Sequence, residues 1–293
     1  MRKRVVRIML AAAVAAGASL VVVVGGQAGG SPRTPSIDWS PSTSGGFDFG
    51  LVAVGKTASQ TFTLTNSGGS ASAALTVTLS GPPTVTITDD TCTATSLGPG
   101  KSCTVTVQYA PTSSGPGGEV TLEASGKKAA ADATLSIAGH SALVFVASGP
   151  AVPGLSPLNE NPAHPESSAT GTAQVIWDTS THLMTVNVTF AGLTTPNTAA
   201  HIHCCVASPG TTGVATTVPT FTGFPSGVQS GTYTHTFDMT SLTSYNPAFV
   251  TAHGGTAAGA EAALLAGMQA GQTYLNIHTT MFPGGEERGF LQS

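Results

Sequence analysis

The stretch Ala200-His201-Ile202-His203-Cys204-Cys205 reads as a short strand, and Tyr274-Leu275-Asn276-Ile277-His278-Thr279 reads as a second one near the C-terminus. In both stretches β-branched and apolar residues alternate with polar ones, which is typical of half-buried strands. Side chains two positions apart on a strand share a face, so His201 and His203 point the same way. If the two strands are neighbours, we expect His278 to join them in one small volume.

Imidazole and thiolate are ligands that zinc and copper prefer. We therefore predict a metal site for copper or zinc at His201, His203 and His278, with Cys205 as a possible further ligand if its strand continues. The alternative is a structural role, in which hydrogen bonds made by the histidines fix the register of the sheet. A His-x-His strand also occurs at the copper site of Cu/Zn superoxide dismutases, but the other ligand motifs of that enzyme are absent here, so this is analogy only.

The adjacent Cys204 and Cys205 allow three interpretations. They form a vicinal disulfide, or Cys205 supplies one thiolate ligand, or both are buried or chain-linking thiols. In an oxidising compartment we favour the vicinal disulfide.

The composition favours folded β-structure outside the cytoplasm. Of 293 residues only 8% are charged and 40% are hydrophobic, with 36 glycines and 19 prolines. The apolar residues occur in alternating runs, which argues against disorder. The formal net charge is -4, whereas nucleic-acid binding depends on positive charge, so we expect no nucleic-acid partner.

The N-terminus has the pattern of a secretory signal, which we place at residues 1–28 and follow with a linker at 29–36. A basic head precedes an apolar run from Ile8 to Val24, and small residues then permit cleavage. An uncleaved membrane anchor is the alternative, because the run is long enough to span a bilayer. We expect a secreted or cell-envelope protein with no membrane contact beyond this segment.

Residues 37–140 are predicted to form an immunoglobulin-like β-sandwich, because about seven short alternating strands occur in about a hundred residues. Phrases such as Phe62-Thr63-Leu64-Thr65-Asn66 and Leu97-Gly98-Pro99-Gly100-Lys101-Ser102-Cys103 resemble the ASH-type (Hydin-like) Ig-like domain. In secreted bacterial proteins this resemblance implies a spacer or interaction module. Cys92 and Cys103 flank the Gly98-Pro99-Gly100 turn, so we expect a structural disulfide worth about 2–3 kcal/mol.

Residues 141–293 are predicted to form a second β domain with one or two short helices. The clearest helix is Ala257 to Ala270, and a shorter one is expected to start at Asn246-Pro247 with Asn as its cap. The His-x-His strand, the Tyr-Leu-Asn-Ile-His-Thr strand and the segment Pro283–Gly289 together resemble the CHRD (chordin) domain over roughly residues 143–292. The chain departs from that pattern at the Cys-Cys pair and at Glu287, where an aliphatic residue is favoured.

The remaining polar residues form no catalytic constellation that we recognise. Glu286, Glu287 and Arg288 read as a turn-side ion pair or a solvated edge, and no nucleophile elbow or acid–base pair is identifiable.

The sequence therefore predicts an all-β protein of two consecutive β-sandwich domains that binds or scaffolds rather than catalyses. Its partner would be an unidentified extracellular or cell-envelope protein or a matrix ligand. The alternative is a copper- or zinc-dependent redox or hydrolytic protein that uses His201, His203 and His278.

Overall fold

The computed structural model describes residues 34–42, 44–126 and 132–293. The predicted signal at 1–28 and the first residues of the predicted linker lie outside the described residues. The predicted all-β class with two short helices is confirmed. Among the described residues, no helix combines the length and the hydropathy needed to cross a membrane.

The first domain is a sandwich of two sheets. One sheet has the order β1-β3-β6-β5, and the other consists of β2, β4, β7, β8 and the first half of β9. Side chains from both sheets, among them Phe62, Val107, Leu122 and Ile137, form one buried cluster. The strands are β1 (Ile37–Ser40), β2 (Phe47–Ala53), β3 (Ala58–Asn66), β4 (Leu75–Ser80), β5 (Val85–Asp90), β6 (Ser102–Tyr109), β7 (Gly115–Pro116), β8 (Val120–Gly126) and β9 (Asp132–Ser148).

The expected disulfide between Cys92 and Cys103 is confirmed, with a Cα–Cα distance of 5.1 Å. Both residues belong to the buried cluster of the first domain. The bond therefore closes a corner of the sandwich core and has a structural role.

The second domain contains six further strands and two helices, and its strands follow the order β12-β14-β15-β9-β10-β11-β13. A single apolar core takes side chains from all seven strands and from both helices, so the sheet curves around that core. The new elements are β10 (Thr170–Asp178), β11 (Leu183–Ala191), β12 (Asn197–Cys204), β13 (Gly231–Asp238), α1 (Pro247–Ala252), α2 (Ala257–Gln269), β14 (Thr273–Thr279) and β15 (Glu287–Gln292).

Both helices begin where their capping residues predict. The side chain of Asn246 accepts a hydrogen bond from the amide of Ala248, and Pro247 occupies the first turn of α1. Thr256 caps α2 in the same way, through the amide of Gly259. Leu264 and Met268 of α2 are buried in the core, as the apolar stripe of the sequence predicts.

Strand β9 passes without a break through both domains. Its first half pairs with β8 and its second half pairs with β10 and β15. The predicted boundary at residues 140 and 141 lies inside this strand. A hydrogen bond of 3.0 Å between His140 Nε2 and Asp178 Oδ2 adds a side-chain contact across the junction.

The interpretation of Glu286, Glu287 and Arg288 as a turn-side ion pair or solvated edge is wrong, because all three residues are fully buried. Glu287 is paired with Ile277 across β14 and β15, and paired residues of antiparallel strands share a face. Since Ile277 belongs to the apolar core, the Glu287 carboxyl group lies on the core side. Neither of its oxygens has a hydrogen-bond partner. Burial, together with the charges of Glu286 and Glu160, raises the pKa of Glu287 to about 8.

We expect Glu287→Leu to stabilise the protein by about 1–3 kcal/mol near pH 4.5, and by more near pH 8, because it removes a buried, unsatisfied carboxyl group. The folded protein retains a proton on Glu287 that the unfolded chain releases above its ordinary pKa of 4.5. The destabilisation by Glu287 therefore grows as the pH rises from about 4.5 to about 8. The free energy of unfolding in urea, measured for both proteins at pH 4.5 and at pH 8, tests this expectation.

The matched control is Glu123→Leu, which replaces an exposed glutamate on β8. A stability gain for Glu287→Leu that is the same at pH 4.5 and pH 8 would contradict the assignment.

Candidate metal centre

The strands that carry the three histidines are direct neighbours. β12 and β14 pair antiparallel, with Ala199 opposite His278, His201 opposite Asn276 and His203 opposite Tyr274. The odd-numbered residues of β12 therefore share a face with the even-numbered residues of β14. Ile202, Leu275 and Ile277 face the core from the other side. The histidines consequently lie on the outer face of the sheet.

The three imidazoles converge as the strand pattern predicts. One ring nitrogen from each of His201, His203 and His278 lies within 4.8 Å of the corresponding atoms of the other two. His201 Nδ1 and His278 Nε2 are 3.3 Å apart. His201 and His203 are only 6% and 7% exposed, while His278 is half-buried. The cluster therefore opens toward solvent on the side of His278.

Each imidazole uses its other nitrogen to bind a backbone carbonyl oxygen supplied by a covering loop. These hydrogen bonds join His201 Nε2 to Pro219 O at 2.7 Å, His203 Nδ1 to Thr212 O at 2.8 Å and His278 Nδ1 to Pro283 O at 2.9 Å. Because a carbonyl oxygen can only accept, His201 donates to Pro219 O and His278 donates to Pro283 O.

These hydrogen bonds fix the tautomers of the neutral His201 and His278 rings. A neutral imidazole carries one N–H, so His201 Nδ1 and His278 Nε2 are left with lone pairs, whereas His203 faces two acceptors, Thr212 O and Asn276 Oδ1, and can donate to only one of them. His201 Nδ1 and His278 Nε2 then face each other as two acceptors with no proton between them. Histidines that bind metals are commonly oriented by such a second hydrogen bond to a carbonyl group. The arrangement is suited to a shared cation.

Burial keeps the rings neutral. It lowers the pKa of His201 and of His203 to about 4, against the weaker opposing effect of their carbonyl partners. Burial also lowers the pKa of His278, again opposed by the hydrogen bond to Pro283. The cluster is therefore deprotonated at neutral pH, which is the state that binds metal ions.

Tyr274 and Asn276 complete the wall of the site beside His203. The Tyr274 ring stacks on the His203 ring with a centroid distance of 4.6 Å and an interplanar angle of 7°. The Asn276 side-chain amide lies against His203 Nε2, with its Oδ1 atom 3.0 Å away. Asn276 is 1% exposed, so this amide is a buried polar neighbour of the coordinating nitrogen.

Arg288 organises the loop that orients His203, and sequence reasoning missed it. Its guanidinium donates to Asn159 O at 2.5 Å, Pro209 O at 2.8 Å and Gly210 O at 3.1 Å. It also lies 4.9 Å from the centroid of the Tyr274 ring. No local signal marks this role, because Arg288 follows a Pro-Gly-Gly turn in a polar hexapeptide and such segments usually face water.

Arg288 has one acidic partner among the described residues, Glu160, whose Oε2 atom is 3.6 Å from Arg288 Nε. Burial raises the pKa of Glu160 to about 7, and the charge of Arg288 opposes this rise.

The idea that Cys205 is a ligand is not supported by its position. The sulfur atoms of Cys204 and Cys205 lie 4.0 and 3.8 Å from the carbonyl oxygen of Ala263 in α2, away from the His face. β12 ends at Cys204, so the alternation that would direct Cys205 toward the histidines stops there. The structure joins the two cysteines in a vicinal disulfide.

Comparison with known proteins identifies both domains. The model of the CHRD domain matches residues 154–291, and the model of the HYDIN/CFA65/VesB-like, Ig-like domain matches residues 38–140. Both resemblances, in this order, are therefore confirmed. No curated protein matches the chain.

Three solved structures are similar to parts of the chain. The VesB protease of Vibrio cholerae is 26% identical over 36% of this chain and 31% of its own, with a TM-score of 0.28. An ASH/PapD-like domain of human CEP192 is 14% identical over 43% of this chain and 96% of its own, with a TM-score of 0.27. The secreted serine protease VesC of Vibrio cholerae is 13% identical over 84% of this chain and 48% of its own, also with a TM-score of 0.27.

The chain thus spans about a third of the VesB structure and about half of the VesC structure. With TM-scores this low, these likenesses carry no argument about activity. The two domain models and the fold agree, and the chain carries a CHRD domain at residues 154–291 preceded by a HYDIN/CFA65/VesB-like, Ig-like domain at residues 38–140.

Proposed function

We propose that the protein is an exported, non-catalytic binding or scaffold module whose CHRD domain holds one copper or zinc ion through His201, His203 and His278. The observation that carries the proposal is the orientation of the rings. One nitrogen of each ring is hydrogen-bonded to a backbone carbonyl group, and one nitrogen from each of the three rings lies within 4.8 Å of the other two.

The donor set favours copper or zinc over the other common metals of proteins. Imidazole suits these ions, whereas magnesium and calcium select oxygen ligands. The cluster contains three nitrogen donors and no carboxylate or thiolate. Three protein ligands leave a fourth position of a tetrahedral site free, on the half-exposed side of His278.

The surroundings of the cluster support binding rather than catalysis. The groups that contact the imidazoles are carbonyl oxygens, the Asn276 amide and the Tyr274 ring, which position the histidines but are poorly suited to proton transfer at neutral pH. Burial also raises the pKa of Tyr274. Export is supported by the signal pattern of the sequence and by the disulfide between Cys92 and Cys103.

The rival function is copper- or zinc-dependent redox or hydrolytic chemistry at the same histidines, for which the free fourth position would admit a water molecule or a substrate. Superoxide dismutation by copper-loaded protein separates the two functions. We expect no activity above that of the same protein carrying His278→Ala.

Metal binding is tested on protein purified without a nickel column. We expect one equivalent of copper or zinc by elemental analysis, and stabilisation by about 2.7 kcal/mol when free metal is 100 times its dissociation constant. We expect His278→Ala to weaken binding by more than the roughly 10–100-fold that is typical for loss of an outer-shell partner, because it removes one of three ligands.

His253→Ala is the matched control, since His253 lies outside the cluster at the end of α1. Equal affinity in both variants, or no binding by the unaltered protein, would contradict the proposal.

The metal-free protein should lose stability on acidification. The folded pKa of His201 and of His203 is about 4, below the ordinary value of 6.5. The unfolded chain therefore takes up protons first, so the contribution is complete above pH 6.5 and is lost as the pH falls toward about 4. We expect a loss of about 2–3 kcal/mol per imidazole by urea unfolding.

The double variant His201→Gln/His203→Gln should lack this component, while the part that arises from carboxyl groups remains. The same pH dependence in the variant and in the unaltered protein would rule out neutral, buried imidazoles.

A further inference from the structure

The vicinal disulfide differs from the other disulfide of the chain in its accessibility. Cys204 is 6% exposed, but Cys205 is exposed. Cys92 and Cys103 are both buried, at 0% and 7% exposed. Cys205 is therefore the cysteine that a thiolate from solution can approach, whereas the sulfur of Cys92 is reached only by opening the sandwich core.

Helix α2 leaves space for the two sulfur atoms at Gly267. Gly267 is buried in this helix, and a Cβ atom at that position would lie 2.5 Å from Cys204 Sγ and 2.6 Å from Cys205 Sγ. Glycine inside a helix costs about 1 kcal/mol relative to alanine, so the room for the sulfurs accounts for its presence. The space beside Gly267 fits two bonded sulfur atoms, which are ~2 Å apart, better than two thiol groups, whose sulfur atoms separate to roughly 3.5–4 Å.

The disulfide is connected to the histidine cluster through one short loop, residues 206–213. The amide of Cys204 donates to Gly213 O at 3.3 Å, and Thr212 Oγ1 donates to Cys204 O at 3.4 Å. The carbonyl oxygen of Thr212 accepts the hydrogen bond from His203 Nδ1. Thr212, whose carbonyl oxygen orients the His203 ring, is thus held by the backbone of Cys204 as well as by the Tyr274 hydroxyl group.

We infer that Cys204–Cys205 is a thiol–disulfide exchange site, through which a dithiol reductant lowers the metal affinity of the histidine cluster. The coupling to the metal rests on the proposed function, whereas the exchange chemistry does not.

The reaction requires two electrons, which the dithiol supplies. One thiolate of the reductant attacks Cys205 Sγ, the Cys204–Cys205 bond breaks, and Cys204 Sγ leaves as a thiolate and takes up a proton. The second thiolate of the reductant then attacks its partner sulfur in the mixed disulfide, and Cys205 Sγ is released and protonated. The dithiol becomes a disulfide, and the protein gains two thiols.

Reduction changes the site because the two thiols no longer fit beside Gly267. The start of the loop must then move, and Thr212 O moves with it. His203 loses a hydrogen-bond partner that orients its ring, and loss of such a partner typically weakens binding by 10–100-fold.

The exchange chemistry is tested by brief exposure to dithiothreitol, removal of the reagent, alkylation with iodoacetamide and peptide mass measurement. We expect carbamidomethyl groups on both Cys204 and Cys205 while Cys92–Cys103 stays intact. Labelling of Cys204 and Cys205 without reductant, or reduction of Cys92–Cys103 at the same rate, would overturn the assignment.

The coupling is tested by zinc competition with a chromophoric chelator. We compare oxidised protein, reduced protein that has been reoxidised, and the variant Cys204→Ser/Cys205→Ser, which has the two separate side chains of the reduced state without thiolate ligands. We expect binding at least about 10-fold weaker in the variant and full affinity after reoxidation. Thermal unfolding of the variant verifies that it is folded.

Equal zinc affinity in all forms would overturn the coupling and leave the metal site intact. Absence of zinc and copper binding in the oxidised protein would defeat the proposed function and the coupling together, while the mass measurement would still decide the exchange chemistry.

Discussion

The buried guanidinium of Arg288 is the interaction on which the candidate site depends. A fully buried cation is stable only when its donors are satisfied, and Arg288 meets this requirement with three carbonyl groups from two separate loops and with the carboxyl group of Glu160. Two of those carbonyls belong to the loop that also supplies Thr212 O to His203. Removing the guanidinium would leave these acceptors unsatisfied and release the loop. The burial of the Arg288 charge and the orientation of His203 therefore depend on the same hydrogen bonds.

The position of the histidine cluster explains why its hydrogen-bond acceptors are backbone carbonyl groups. The histidines lie on the outer face of a sheet whose inner face is an apolar core, and they are buried by loops rather than by other sheets or helices. Loops carry backbone carbonyls that are not consumed by strand pairing, and three of them are available to accept from imidazoles. A second layer of packed side chains could not provide the same uniform set of acceptors.

The strand character, the shared face of His201 and His203, both helices and the Cys92–Cys103 disulfide could be predicted from the sequence, because each depends on local periodicity or capping. The pairing of β12 with β14 could only be assumed, since 68 intervening residues separate the two strands and alternation does not specify a partner. The burial of Arg288 and Glu287 was not predictable, because a Pro-Gly-Gly turn followed by charged residues normally faces water. Whether Cys205 joins the histidines depended on where its strand ends, which alternation does not specify, and the strand ends at Cys204.

The uninterrupted strand β9 has a mechanical consequence. Its 17 residues extend over about 55 Å and are hydrogen-bonded to neighbours in both domains. A pulling force applied along this strand would act on many backbone hydrogen bonds at the same time, in shear. It would not break them one after another. Because His140, Ser141 and Ala142 in the middle of the strand are themselves paired with β2, tension on one domain would be transmitted to the other through a strand that is hydrogen-bonded at the junction.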